Sequence, residues 1–197
     1  MNLIYIFELL ATIVIILCCL AVLISVLVDF VKFGDKNETK RNKKSIVATG
    51  SMLLFFICFY LVIRFNIGVI TIENLSIRIL IIIVGLLIII IGTFVNIKGR
   101  IDLGKNWANH IKIYKNHTLV STGVYRLVRH PLYASLIWAF YGASLVYLNF
   151  IALLLNTFIF IPFMYYRAKQ EEELLDKEFF DYNKYKRRVA MFFPKLF

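Results

Sequence analysis

The sequence predicts an all-α, polytopic membrane protein with five transmembrane helices, and three observations carry that reading. Hydrophobic residues fill 60% of the 197 positions and charged residues only 18%, against about 25% in ordinary soluble domains. The mean hydropathy is +0.77. The apolar residues gather in five runs, each near the ~20 residues that a helix needs to cross a bilayer. This composition excludes a disordered chain, a disulfide framework and most soluble enzymes. The length fits one domain over residues 1–197.

The first run extends from Leu3 to Val31, with Glu8 near its outer end. It is too long for a signal-peptide core and has no evident small-residue cleavage site, so it should be retained. The second, Ile46 to Ile63, is closed by Arg64, and the third, Ile77 to Ile97, is nearly all Ile, Leu, Val and Gly. The fourth, Leu132 to Leu148, and the fifth, Phe150 to Tyr166, are separated by Asn149 alone and should form a tight antiparallel hairpin. Pro162 sits near the far end of the fifth. On the fourth, Ser135, Ala139 and Ala143 recur every four residues, a spacing that lets backbones approach closely in lipid.

Lys and Arg number 23 against 12 Asp and Glu, for a net charge of +11. A basic chain can bind nucleic acid, but here the charges flank apolar runs, so the expected partners are membrane lipids and not nucleic acid. Of the 23 basic residues, 21 lie in three segments: Lys32 to Lys44, Lys98 to Arg129, and the tail from Arg167. Five spans put all three on one face, which the positive-inside rule makes cytosolic. The N-terminus is then outside and the C-terminus cytosolic, in the plasma membrane of a prokaryote or the endoplasmic reticulum of a eukaryote. Cys18, Cys19 and Cys58 lie inside apolar runs with no ligand-spaced partner. They read as small apolar fillers, and no metal is expected.

Candidate chemistry lies in residues 100–197. The segment from Arg100 to Tyr133 is 34 residues long and holds His110, His117 and His130. Connections of that length in a compact domain are usually functional. Its second half reads HTLVSTGVYRLVRHPLY. Gly123 allows a turn that other residues resist, and Pro131 suits the first turn of the following helix. Backbone amides at such a helix start suit an anionic group, while Tyr125 and Tyr133 offer faces to a cation. The plainer reading of Arg126, Arg129 and His130 is lipid-headgroup binding, with the tyrosines in an interfacial belt. In the tail, Arg167 and Glu171 share a helical face. Glu172 and Glu173 read as a solvated face pairing with Lys and Arg.

Three blocks give the sequence a specific resemblance. They are Leu103-Gly104-Lys105-Asn106-Trp107; the pattern HxLVxxGxYxxxRHPxY from His117 to Tyr133; and RxxxEExxL from Arg167 to Leu175, followed by Phe179, Tyr182, Tyr185 and Pro194. In order and spacing they resemble the isoprenylcysteine carboxyl methyltransferase family, and they cover about the C-terminal half. Family members often carry Gly soon after the RHPxY tyrosine, where Ala134-Ser135 stands here, and Phe-Gly where Phe179-Phe180 stands.

The resemblance implies a cytosolic S-adenosylmethionine pocket formed by the loop before helix four and the C-terminal tail. It implies that His117, Thr118, Leu119, Val120, Tyr125, His130, Pro131, Leu132 and Tyr133 line that pocket. Glu171 would contact the cofactor and Arg167 would face the carboxylate of a lipophilic or prenylated substrate. The tail is one residue short before Tyr182, so Glu172 can take the role given to Glu171. A carboxylate or thiolate acceptor is already anionic and needs no general base, so positioning would carry the catalysis. The rival readings are a phospholipid-amine or small-thiol methyltransferase, with His130 or a tail carboxylate as base; an NADPH-dependent membrane reductase; and a non-catalytic membrane protein.

Overall fold

The computed structural model describes residues 3–33, 39–43, 46–107, 111–114 and 118–195. Helix α1 (Leu3–Phe33) leads into strand β1 (Thr39–Lys43), followed by α2 (Ile46–Arg64) and α3 (Leu75–Leu103). Strand β2 (Ile111–Tyr114) precedes α4 (Pro131–Val146), α5 (Phe150–Leu155), α6 (Ile161–Glu178) and α7 (Tyr182–Arg188). The protein is mostly helical, as expected, but β1 and β2 pair antiparallel, with Thr39 opposite Tyr114 and Lys43 opposite Ile111. That ribbon corrects the all-helical expectation. Its strands are only five and four residues long, too short for a period-two pattern to stand out within basic loops.

Helices α1, α3 and the α5–α6 rod are long and apolar enough to cross a membrane, and α2 and α4 are shorter apolar helices. Their outward side chains are large and apolar: Val31 is 76% exposed and Phe94 65%. Patches of that extent require lipid or protein cover.

The helix bounds differ from the sequence pattern at polar ends. Helix α3 runs to Leu103, six residues past Ile97, because Asn96 and Arg100 find partners inside the fold. Helix α4 starts on Pro131, with the missing N–H at a position that needs none. From Phe150 the chain stays helical to Glu178, interrupted by a π turn at Asn156–Phe160. Pro162 follows in the first turn of α6. Its ring removes a backbone donor, and a local widening of the helix accommodates the loss.

Helices α3 and α4 form the most extensive packed pair. Glycines at 85, 92 and 99 recur every seven residues on α3. A Cβ at Gly85 would lie 2.6 Å from the Gly142 carbonyl oxygen, and one at Gly142 would lie 2.6 Å from that of Gly85. Gly92 faces Ser135 and Ala139, so the small-residue stripe of α4 does serve close approach.

The hairpin between α4 and α5 is tight, as expected. Leu148 takes a positive φ of 48°, and the Asn149 side chain caps α5 by accepting from the Ala152 N–H. The α2–α3 turn zips onto it through Ile70 N–H to Leu148 and Phe150 N–H to Gly68. At the other end, β1 pairs with β2, and Val128 bridges to Ala190. The three basic segments therefore meet at one end of the bundle.

Candidate active site

The polar end is held in shape by local devices. Gly123 has φ +59°, and a Cβ there would fall 2.0 Å from Asp102 Oδ2. That oxygen accepts from the Val124 N–H at 3.0 Å, so Asp102 on α3 caps the turn that opens the loop toward α4. Lys98, one helical turn earlier, pairs with Asp102. Asn106 and Thr118 are doubly bonded: the Thr118 N–H reaches Asn106 Oδ1 at 3.1 Å, and Asn106 Nδ2 reaches Thr118 Oγ1 at 3.0 Å. Trp107 is buried edge-on against Phe30 of α1, with ring centroids 4.9 Å apart.

The tail folds back over this loop. Tyr185 Oη donates to the Tyr125 carbonyl at 2.6 Å. The Arg129 and His130 N–H groups donate to the carbonyls of Ala190 and Met191 at 2.8 and 3.2 Å. Arg129 Nη1 reaches the carbonyls of Lys186 and Val189, the exposed acceptors at the end of α7.

Between these pieces lies a cavity of about 520 Å³. From the loop, Thr118, Leu119, Val120 and Tyr125 line it. From the start of α4 come His130, Pro131, Leu132 and Tyr133, and from α6 come Arg167 and Glu171. His117 lies outside the described residues.

Glu171 and Glu172 part company in space. Glu171 lines the cavity; its Oε1 accepts from Tyr133 Oη, and its Oε2 lies 3.4 Å from His130 Nδ1. Glu172 is buried away from the cavity. It accepts from Arg129 Nε at 2.9 Å and Nη2 at 2.8 Å, and it meets His130 Nε2 at 3.3 Å and Lys186 Nζ at 3.2 Å. Glu172 is thus no solvated face.

His130 sits with a carboxylate at each ring nitrogen. Burial pushes its pKa down, but hydrogen bonds to Glu171 and Glu172 more than reverse that, and it ends above the usual 6.5. Arg167 donates from Nε to Tyr133 Oη at 2.9 Å and from Nη1 to the Met52 sulfur at 3.4 Å. Its guanidinium carbon stands 5.7 Å from the Tyr133 ring centre. Among the described residues, no carboxylate lies within ion-pair distance of Arg167.

The comparisons with known proteins fall on this region. Residues 82–177 match the model of the isoprenylcysteine carboxyl methyltransferase family. Over those residues, just under half of its length, the chain is similar to that family. The matched region holds the glycine-lined packing of α3, the loop, α4 and both glutamates. The chain is 36% identical over 95 residues to the protein-S-isoprenylcysteine O-methyltransferase of Saccharomyces cerevisiae, covering 46% of this chain and 39% of that protein. It is 37% identical over 82 residues to the one of Schizosaccharomyces pombe, covering 41% of this chain and 34% of that protein. The matches therefore span well under half of these relatives' own length. The structure of a eukaryotic intramembrane Ras methyltransferase of the same family superposes with a TM-score of 0.57 at 21% identity. That match covers 77% of this chain and 53% of the other. The shared fold and the apolar helices make this chain a multi-pass membrane protein.

Sequence reasoning missed several wall residues. Asn96 and Arg100 of α3, Met52 and Phe56 of α2, and Tyr182 and Tyr185 of the tail also border the cavity. The available signal was Asn96 itself, a strongly polar residue in a run that is nearly all Ile, Leu, Val and Gly.

Proposed function

We propose that the protein transfers a methyl group from S-adenosylmethionine to the carboxylate of a lipophilic, isoprenylcysteine-like acceptor. The observation that carries this is Arg167: a guanidinium on the cavity wall, with no carboxylate partner among the described residues, beside the apolar Met52 of α2. Its planar fork suits both oxygens of an acceptor carboxylate.

The residues present fit the methyl donor. A cavity of about 520 Å³ lies within the ~300–1,000 Å³ of small-molecule sites. Tyr125, Tyr133, Tyr182 and Tyr185 offer aromatic faces to a cation, and Glu171 offers a carboxylate for a hydroxyl or an amine. The loop residues Thr118, Leu119 and Val120, with the first turn of α4, would hold the remainder. When bound, S-adenosylmethionine supplies an electrophilic methyl group on a sulfonium.

The chain's own part is to position and to desolvate. Tyr133 accepts from Arg167 and donates to Glu171, which fixes the acceptor-facing cation and the donor-facing anion to one phenol. Helices α1 and α2 supply the apolar wall, through Val22, Val26, Met52 and Phe56. Alignment of this kind is worth about 7–11 kcal/mol of barrier.

An amine acceptor needs a base, and His130 is a poor one. Its two nitrogens face two carboxylates, which favour its protonated form. That geometry favours a carboxylate or thiolate acceptor over a phospholipid amine.

In this reading five helices span the bilayer, the basic end is cytosolic and the N-terminus is outside, because the three basic segments meet at the cavity end. The test is to assay Arg167→Ala and Glu171→Ala, inserted and purified, with labelled S-adenosylmethionine and a farnesylcysteine analogue. Each should lose most turnover. Near-normal transfer by both contradicts the proposal.

A further inference from the structure

We infer that Arg100 holds the carboxylate at the amino-acid end of the methyl donor, an inference that rests on the methyl-transfer reading above. Arg100 stands in the last turn of α3, its side chain only 13% exposed, and borders the cavity. A guanidinium carries five N–H donors. Nε donates to Asn96 Oδ1 at 3.0 Å and Nη1 to Asp29 Oδ2 at 3.0 Å. Among the described residues these two are its only hydrogen-bond partners, so three N–H donors remain.

Arg100 borders the cavity, and a hydrogen bond from a charged donor is stronger than one between neutral groups. Beside the Asp29 pair, a ligand carboxylate can accept from the donors that remain on the fork.

The other two guanidinia at the cavity are differently placed. Arg129 spends its donors on Glu172 and on the carbonyls of Lys186 and Val189. Arg167 rests against Met52 and Tyr133, on the wall made by α2 and α6. Arg100 is bonded instead to two polar groups, Asn96 and Asp29. A water-soluble zwitterion suits that end, and a lipophilic acceptor suits the Met52 end.

The site is also built in advance. Asn96 is buried and donates to Ser135 Oγ at 2.7 Å, and Ser135 donates to the Leu132 carbonyl at 2.8 Å. Asp29, 5% exposed, ties the end of α1 to the same guanidinium. Arg100 is therefore oriented from α1, α3 and α4 together, and little side-chain entropy is left to lose on binding.

The experiment is calorimetry on the full chain in detergent, with S-adenosylhomocysteine and with its decarboxylated counterpart. The wild type should bind S-adenosylhomocysteine about 10- to 100-fold more tightly than the counterpart, the range for hydrogen bonds to a charged group. Arg100→Gln should lose that preference while binding the counterpart as the wild type does. Arg167→Gln should keep the preference. Equal wild-type affinity for the two ligands, or a preference that survives in Arg100→Gln, overturns the assignment and leaves the methyl-transfer reading standing. If Arg100→Gln does not fold, Arg100→Lys, which retains the charge facing Asp29, should show the loss in part, and a full preference in Arg100→Lys overturns the assignment. Binding of neither ligand by the wild type contradicts the methyl-transfer reading and this inference with it.

Discussion

Glu172 receives Arg129 through two nitrogens, at 2.9 and 2.8 Å, across 43 residues of sequence. Both side chains are buried, at 2% and 9% exposure. Removing one charge of such a pair strands the other, at a cost of about 3–5 kcal/mol. Glu172→Gln should therefore lower stability by about 3 kcal/mol in detergent unfolding. Glu171→Gln should leave stability near wild type and weaken S-adenosylhomocysteine binding. Equal behaviour of the two variants in both assays would refute the division of labour between the glutamates.

His130 supplies a pH dependence with a definite sign. Its folded pKa is raised above the usual 6.5 by Glu171 and Glu172, against the opposing effect of burial. A raised pKa contributes stability that is full below about pH 6.5 and is lost as pH rises through the folded value. Melting temperature should fall on going from mildly acidic to alkaline pH, and His130→Gln should flatten that slope. A slope unchanged in the variant would assign the effect to other groups.

Gly123 tests the loop cap. Alanine there combines a φ of +59° with a Cβ 2.0 Å from Asp102 Oδ2. Gly123→Ala should cost about 1–3 kcal/mol, the range for backbone held in a sparsely populated region. Asp102→Ala, which frees the space but loses the cap on Val124, should not rescue S-adenosylhomocysteine affinity. Calorimetry on the single and double variants checks this, and wild-type affinity in the double variant would contradict it.

The Gly85–Gly142 contact tests the α3–α4 pair. Either Cβ would press on the facing carbonyl oxygen at 2.6 Å. Gly142→Val should cost about 1–3 kcal/mol by overpacking, whereas Gly104→Ala, which meets nothing within 4 Å, should lose only what its φ of +49° demands. Unfolding titrations of the two variants in bicelles measure the difference. A Gly142→Val variant as stable as the wild type would contradict the packing argument.

What the sequence made legible was local chemistry. The turn at Gly123, the helix start at Pro131 and the small-residue stripe of α4 depend on neighbours a few positions away, and each lies where its pattern points. The apolar runs likewise appear as helices, because burial in lipid needs only composition and length. The partner of Glu172 was hidden because it depends on how the tail returns over the loop. Arg100 was hidden for a related reason: its partner Asp29 lies 71 residues away on another helix. The β ribbon joins two basic loops, and the alternation Ile-Lys-Ile at 111–113 is too short to announce it. Gly85, Gly92 and Gly99 were visible as a period of seven, but only the facing helix gives that period meaning.

The most direct measurement is labelled-methyl transfer by the purified protein in vesicles, from S-adenosylmethionine to a farnesylated cysteine analogue with a free carboxylate. Label should appear in the lipid fraction and be released by mild base as methanol, the mark of a methyl ester, with far less of it for Arg167→Ala. Absence of transfer, or label that stays bound through base treatment, would contradict methyl transfer to a carboxylate.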